Sequence, residues 1–142
     1  MLLIKEDRES MYNKQKDILY CLDKWMELRE QGITLTQYCK ERDAVRIGVY
    51  GYGKLGRHLV WELENENFFV SWIMDQRYNC IRLENQQIKI LSPSEMLNVE
   101  EVDMIIVTAL EDYYDIEAEL CRYTDVEVIS IKEILKSLIE EY

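Results

Sequence analysis

The stretch "VRIGVYGYGKLGRHLVWEL", residues 45–63, constrains the fold more than any other segment. A short β-branched run ends in Gly51-x-Gly53-x-x-Gly56 and passes at once into Leu55, Leu59 and Leu63 at helical spacing. Three of the chain's five glycines fall within those six positions. A strand that turns through glycines into a helix opens a βαβ unit, and such units build parallel sheets covered on both faces.

The rest of the chain repeats that alternation. Strands are predicted over 45–50, 68–74, 88–91, 102–107 and 126–130. Helices are predicted from Lys54 to Asn65, from the cap Ser92-Pro93-Ser94-Glu95 onward, from a Thr108/Glu111 cap to about Arg122, and from a Ser130/Glu133 cap to about Glu140. The polar run 75–87 is not convincingly helical, yet its 13 residues suffice for a crossover. With right-handed crossovers this order predicts a five-stranded parallel sheet, 3-2-1-4-5, in a short Rossmann-like α/β three-layer sandwich. Ahead of it, Ile18, Leu19, Leu22, Trp25 and Met26 recur at helical steps, which predicts a helix from about Ser10 to Gln31 stopped by Gly32. A Thr34/Gln37 capping box predicts a second short helix, Leu35 to Glu41. The chain therefore divides into a helical appendage, 1–43, and a Rossmann-like domain, 44–142. At 142 residues and 48% hydrophobic content, one core is expected.

The glycine turn carries a ligand expectation. Gly51 makes the tight turn, Gly53 lets the backbone approach a diphosphate, and Gly56 lets the helix lie close to the sheet. Free N–H groups of the first helical turn, with the helix dipole, then stabilise phosphate without a cationic side chain. The pattern also asks for an acid about 20 residues on, at the end of the second strand. Asp75 stands there and would accept hydrogen bonds from ribose hydroxyls. Its charge favours NAD or a related nucleotide with an unphosphorylated ribose, while Arg77 could serve a 2′-phosphate instead. Across the switch point, Tyr52, Lys54 and Leu55 should face Thr108, Ala109, Leu110 and Tyr113. The cofactor-binding set is thus Gly51, Tyr52, Gly53, Lys54, Leu55, Gly56, Asp75, Thr108 and Ala109. No G-x-x-x-x-G-K-[ST] is present, so a P-loop is excluded.

The stretches "RIGVYGYGKLGRHLVWELE", "WIMDQ", "IKILSPSEML" and "VDMIIVTAL … VEVISIKEIL", with the lead-in "WMELREQGITLTQYCKERD", resemble small nucleotide-binding domains found in bacterial surface-polysaccharide and glycosyltransferase gene contexts. The resemblance runs from about Leu19 to Leu138, and the domains are broadly similar to the N-terminal nucleotide-binding domain of sugar acyltransferases. It implies a Rossmann-like fold and a nucleotide or nucleotide-sugar ligand, with Gly51, Gly53, Gly56 and Asp75 at matching positions. It implies no reaction, because the acyltransferases carry a second domain that this chain lacks.

Composition narrows the partners. Seventeen Lys and Arg against 28 Asp and Glu give a net charge of −11, and no basic run stands out, so neither nucleic acid nor an anionic membrane is expected. "MLLIKEDRES" is neither a signal peptide nor a spanning helix, which predicts a cytoplasmic protein. Cys21, Cys39, Cys80 and Cys121 form no C-x-x-C pair and His58 is the lone histidine, so no metal site and only reduced thiols are expected. No catalytic constellation is found. There is no Y-x-x-x-K where a short-chain dehydrogenase needs it, and too few strands for a methyltransferase.

On helical spacing His58 falls with Arg57, Trp61 and Glu62 on the outer side of the first domain helix. Trp61 there wants a cover, and the stripe of the N-terminal helix either packs on its own sheet or pairs with a second copy as a homodimer. Three functions follow from these readings. One is a non-catalytic or accessory nucleotide-binding module, another an oxidoreductase or transferase subunit completed by a partner chain. The third is a protein-interaction domain with a vestigial nucleotide site.

Overall fold

The computed structural model describes residues 2–99 and 101–142, and the side chains of all of these except 2–7, 97 and 98. Five strands, β1 (Arg46–Tyr50), β2 (Phe69–Met74), β3 (Lys89–Leu91), β4 (Met104–Val107) and β5 (Glu127–Ser130), form one sheet of order β3-β2-β1-β4-β5. Every pairing is parallel. The expected order is the observed one. Because β2 and β3 are added on one side of β1 and β4 and β5 on the other, the strand order reverses between β1 and β4, and their C-terminal ends open the crevice where Rossmann-like folds take ligands.

Helices cover both faces. On one side lie α1 (Leu2–Glu30), α2 (Gln37–Glu41), α3 (Lys54–Asn65) and α5 (Ile131–Glu141), whose Trp25, Leu28, Leu59 and Leu135 share a core with Ile47, Val49 and Ile106. The other face is covered by α4 (Tyr113–Leu120) and the 3-10 turn Pro93–Asn98, around Trp72, Met74, Ile105 and Val107. The sheet therefore separates two cores. Cys21, Trp25, Leu28, Leu35, Tyr38 and Cys39 of the first 43 residues belong to the larger of them.

Caps that depend only on neighbouring residues form as expected. Glu133 N–H donates to Ser130 Oγ at 3.1 Å, and Ser92 and Glu95 close a full capping box with Pro93 at the first position. The segment it opens is a kinked 3-10 turn, though, and not the expected α-helix. Two other caps are overturned. Thr34 Oγ1 pairs with Thr36 Oγ1 at 2.8 Å, Gln37 reaches forward to Glu41, and α2 starts at Gln37 rather than Leu35. Thr108 does not cap a helix running to Arg122, because its hydroxyl donates to the Tyr50 and Gly51 carbonyls. That helix is split into a 3-10 turn, Leu110–Asp112, and α4. At the other end of the chain α1 reaches back to Leu2 rather than Ser10, through residues with good helix propensity that carry no apolar stripe.

Glu62 is the largest correction on α3. Expected on the outer side, it is 1% exposed. The segment 25–36 crosses that side and aims three donors at it: Trp25 Nε1 at 3.0 Å and Arg29 Nη1 at 3.1 Å to Oε1, and Thr36 N–H at 2.9 Å to Oε2. Helical periodicity cannot see a second helix that supplies polar partners. Trp61 remains 57% exposed, with the Arg29 guanidinium 5.7 Å from its ring centre. His58 is exposed and meets the edge of Trp25 at 6.3 Å.

Candidate functional site

The β1–α3 turn is shaped by its own glycines. Gly51 has φ +103°, in the left-handed region, and a Cβ there would stand 2.5 Å from Thr108 Oγ1. A Cβ on Gly56 would stand 2.1 Å from the Gly51 carbonyl oxygen, because α3 presses directly on the turn. Gly53 differs from both. Its φ is −84°, and a Cβ would find nothing closer than Arg77 Nη2 at 4.0 Å. The fold accounts for the first two glycines and leaves Gly53 without an internal reason.

Gly53 is also the N-cap of α3, and it has no side chain to satisfy the first amides of that helix. The amides just before it are occupied. Gly51 N–H donates to the Met74 carbonyl at 2.8 Å, and Tyr52 N–H donates to Asp75 Oδ2 at 2.7 Å. Donors for an anion are thus confined to the start of α3, where the helix dipole adds to them.

Asp75 closes β2 at 9% exposure. Besides Tyr52, the Arg77 N–H donates to its Oδ1 at 2.7 Å, and the Arg77 Nε lies 3.8 Å from the same oxygen. The carboxylate therefore ties the end of β2 to the glycine turn, at the position expected of a ribose acceptor. Thr108 does the same from β4, donating to Gly51 O at 2.9 Å.

Three hollows that share Lys14, Asp75 and Arg77 as lining surround these residues. A narrow one, ≈ 140 Å³, lies between Gly51–Leu55 and Thr108–Glu111 and is roofed by Lys14, Asp17 and Ile18 of α1. It brings together Gly51, Tyr52, Gly53, Lys54, Leu55, Asp75, Thr108 and Ala109, while Gly56 stays beneath the turn. On the α4 side a hollow of ≈ 760 Å³ runs past Tyr50, Gln76, Met96, Ala109 and Ile116 toward Asp112, Asp115 and Glu119. On the α3 side a third, ≈ 780 Å³, is lined by Tyr52, Gly53, Ile81 and a set of cations. Tyr113, expected at the crevice, instead donates to Glu117 and to the Val128 carbonyl.

Sequence reasoning missed the part played by α1. Lys14 lines all three hollows and pairs with Glu111 across the crevice at 3.1 Å. Lys132 on α5 holds the same stretch of helix through Asp17 at 3.0 Å. A lysine more than 35 residues before the glycine turn carries no local signal of that placement. Lys14, Lys54, Arg57, Arg77 and Arg82 also converge into a basic patch that the scattered sequence positions hide. Among the described residues no three His, Cys, Asp or Glu side chains are grouped to hold a metal, and no helix is long and apolar enough to cross a membrane.

No protein-family model and no curated protein sequence matches this chain. Among solved structures, that of a chorismate mutase/shikimate 5-dehydrogenase fusion protein from Clostridium acetobutylicum is similar, with a TM-score of 0.50 and 13% identity. The match covers 83% of this chain and 61% of that one, so the chain spans less than two thirds of that protein. At this identity the likeness is one of fold, and it agrees with the sheet order.

Proposed function

We propose that the chain is a nucleotide-binding module, non-catalytic or accessory, whose ligand lays a diphosphate on the Gly53–Leu55 turn and a ribose beside Asp75. One observation carries this reading. Gly53 is a glycine that neither its φ nor its surroundings require, at a helix start whose amides lack a side-chain cap. A Cβ at that spot would occupy the space a diphosphate needs. The base has an adjoining hollow with apolar walls at Met96, Ala109 and Ile116. An NAD-like nucleotide and a nucleotide sugar both present the required diphosphate and ribose. The resemblance to domains found in surface-polysaccharide contexts supports a role in that metabolism.

The test is isothermal titration with NAD, ADP, UDP-glucose and coenzyme A on the wild type and three variants. Gly53→Val should cost about 0.5–2 kcal/mol of stability, the usual loss from a poor N-cap, leave the chain folded, and weaken binding at least tenfold, about 1.4 kcal/mol. Gly56→Ala should destabilise the fold itself by about 1–3 kcal/mol, and Lys14→Gln should mark whether α1 meets the ligand. If no nucleotide binds the wild type, or if Gly53→Val binds as tightly, the proposal fails. A second reading, a protein-docking domain with a vestigial site, draws on the exposed apolar hollow of ≈ 450 Å³ around Leu22, Trp25, Met26 and Trp61. It becomes the better one if the crevice proves empty of nucleotides.

A further inference from the structure

Resting on the nucleotide reading, we infer that the ligand carries a phosphate monoester on its ribose in addition to the 5′ diphosphate, held in the basic hollow between α3 and the loop after β2. Lys14, Lys54, Arg57, Arg77 and Arg82 line that hollow, and Asp75 is the one carboxylate among its described lining residues. Five cations to one acid is the reverse of a chain with 17 basic and 28 acidic residues. A local field of this sign in an acidic protein concentrates anions.

Internal pairing takes up Lys14, with Glu111 at 3.1 Å, and sets Arg77 against Asp75 at 3.8 Å, and it leaves the other three. Lys54 and Arg57 form no ion pair with any described residue. Arg82 Nη1 donates to the main-chain carbonyls of Asn79 and Ile81, each at 2.9 Å, and its positive charge has no counter-ion among the described residues. The diphosphate does not answer all of them either. Helix amides and Lys54 suffice at the Gly53 turn, whereas Arg57 lies about one helical turn, roughly 5.4 Å, further along α3. Arg82 stands on the opposite wall.

Position selects the ribose as the carrier. The hollow borders Asp75 and Arg77, the residues at the end of β2 where the ribose hydroxyls lie in this topology. An acid there normally disfavours a phosphorylated ribose. Here both oxygens of Asp75 already accept backbone N–H groups, from Tyr52 and Arg77, and the Arg77 guanidinium faces Oδ1. Its charge is thereby answered before the ligand arrives, and it serves as an anchor for the loop. The exposed guanidinium of Arg77, over Gly53, offers the planar fork that suits a phosphate.

Two natural chemistries share this feature, a 2′-phosphate and a 3′-phosphate, and matched pairs distinguish them. Titrations at fixed ionic strength would compare NADP with NAD and coenzyme A with dephospho-coenzyme A. The expected result is at least a tenfold advantage for the phosphorylated member of one pair, which also identifies the ribose position. In the double variant Arg57→Gln, Arg82→Gln, both exposed residues, that advantage should fall below threefold while the unphosphorylated member binds as before. Equal affinities within both pairs, in a protein that binds NAD or dephospho-coenzyme A, overturn this inference and leave the nucleotide reading standing. An undiminished advantage in the double variant overturns the assignment of the hollow. Absence of binding by all four removes both.

Discussion

Cys21 and Cys39 lie fully buried where α1 and α2 meet the sheet, and burial pushes their thiols up, to about 11 and about 12. Burial likewise raises Tyr38, Tyr50, Tyr52 and Tyr113. A group whose folded pKa is raised keeps its proton in the native chain at a pH where the unfolded chain has released it. Its stabilising contribution is complete below the unfolded value and is lost as pH rises through the folded one. Stability should therefore decline from about pH 9 upward, where unfolded cysteine begins to ionise. Urea unfolding at pH 7.5 and pH 10 should show a lower midpoint at the higher pH with an unchanged slope. At neutral pH a maleimide should label the exposed Cys80 and Cys121 readily, and Cys21 and Cys39 only after unfolding. The sequence could show that the cysteines were unpaired by any motif. It could not show which two were buried, because that depends on α1 folding back.

At the level of elements, strands and helices were legible because each rests on its own periodicity, and caps were legible only where no distant group competed. Ser130 with Glu133 and Ser92 with Glu95 find each other within one turn. Thr34 with Gln37 spells the same local pattern, yet Thr36 N–H is drawn to Glu62, 26 residues away, and the helix begins later. Thr108 is likewise taken by the Gly51 carbonyl, 57 residues away. A hydroxyl bonds wherever the folded chain brings an acceptor, and spacing along the sequence says nothing of that. Glu62 shows the cost of the hidden partner most directly. Glu62→Ala would leave Trp25 Nε1 and Thr36 N–H unpaired in the interior, and should lower stability by about 2–4 kcal/mol. Arg29→Ala should cost less, since Arg29 is exposed and its departure leaves two donors on the carboxylate. Equilibrium denaturation of the two variants checks the order, and equal losses would contradict it.

Across the whole molecule, topology was readable and charge placement was not. The 3-2-1-4-5 order follows from the alternation of elements and the handedness of crossovers. The basic hollow assembles Lys14 from α1, Lys54 and Arg57 from α3, and Arg77 and Arg82 from the loop after β2, so a net charge of −11 conceals it. The sheet also keeps the α3-side and α4-side cores apart, and Asp75 and Arg77 line hollows opening on both sides of its C-terminal edge. A nucleotide lying there would act as a staple across the rim of the sheet, joining the two halves that hold its separate hydrophobic interiors. Hydrogen exchange should then slow on ligand addition in Gly51–Leu55 and in Ala109–Ile116 together, with matching gains in opening free energy. Protection confined to one segment would mean that the bound molecule touches one face alone.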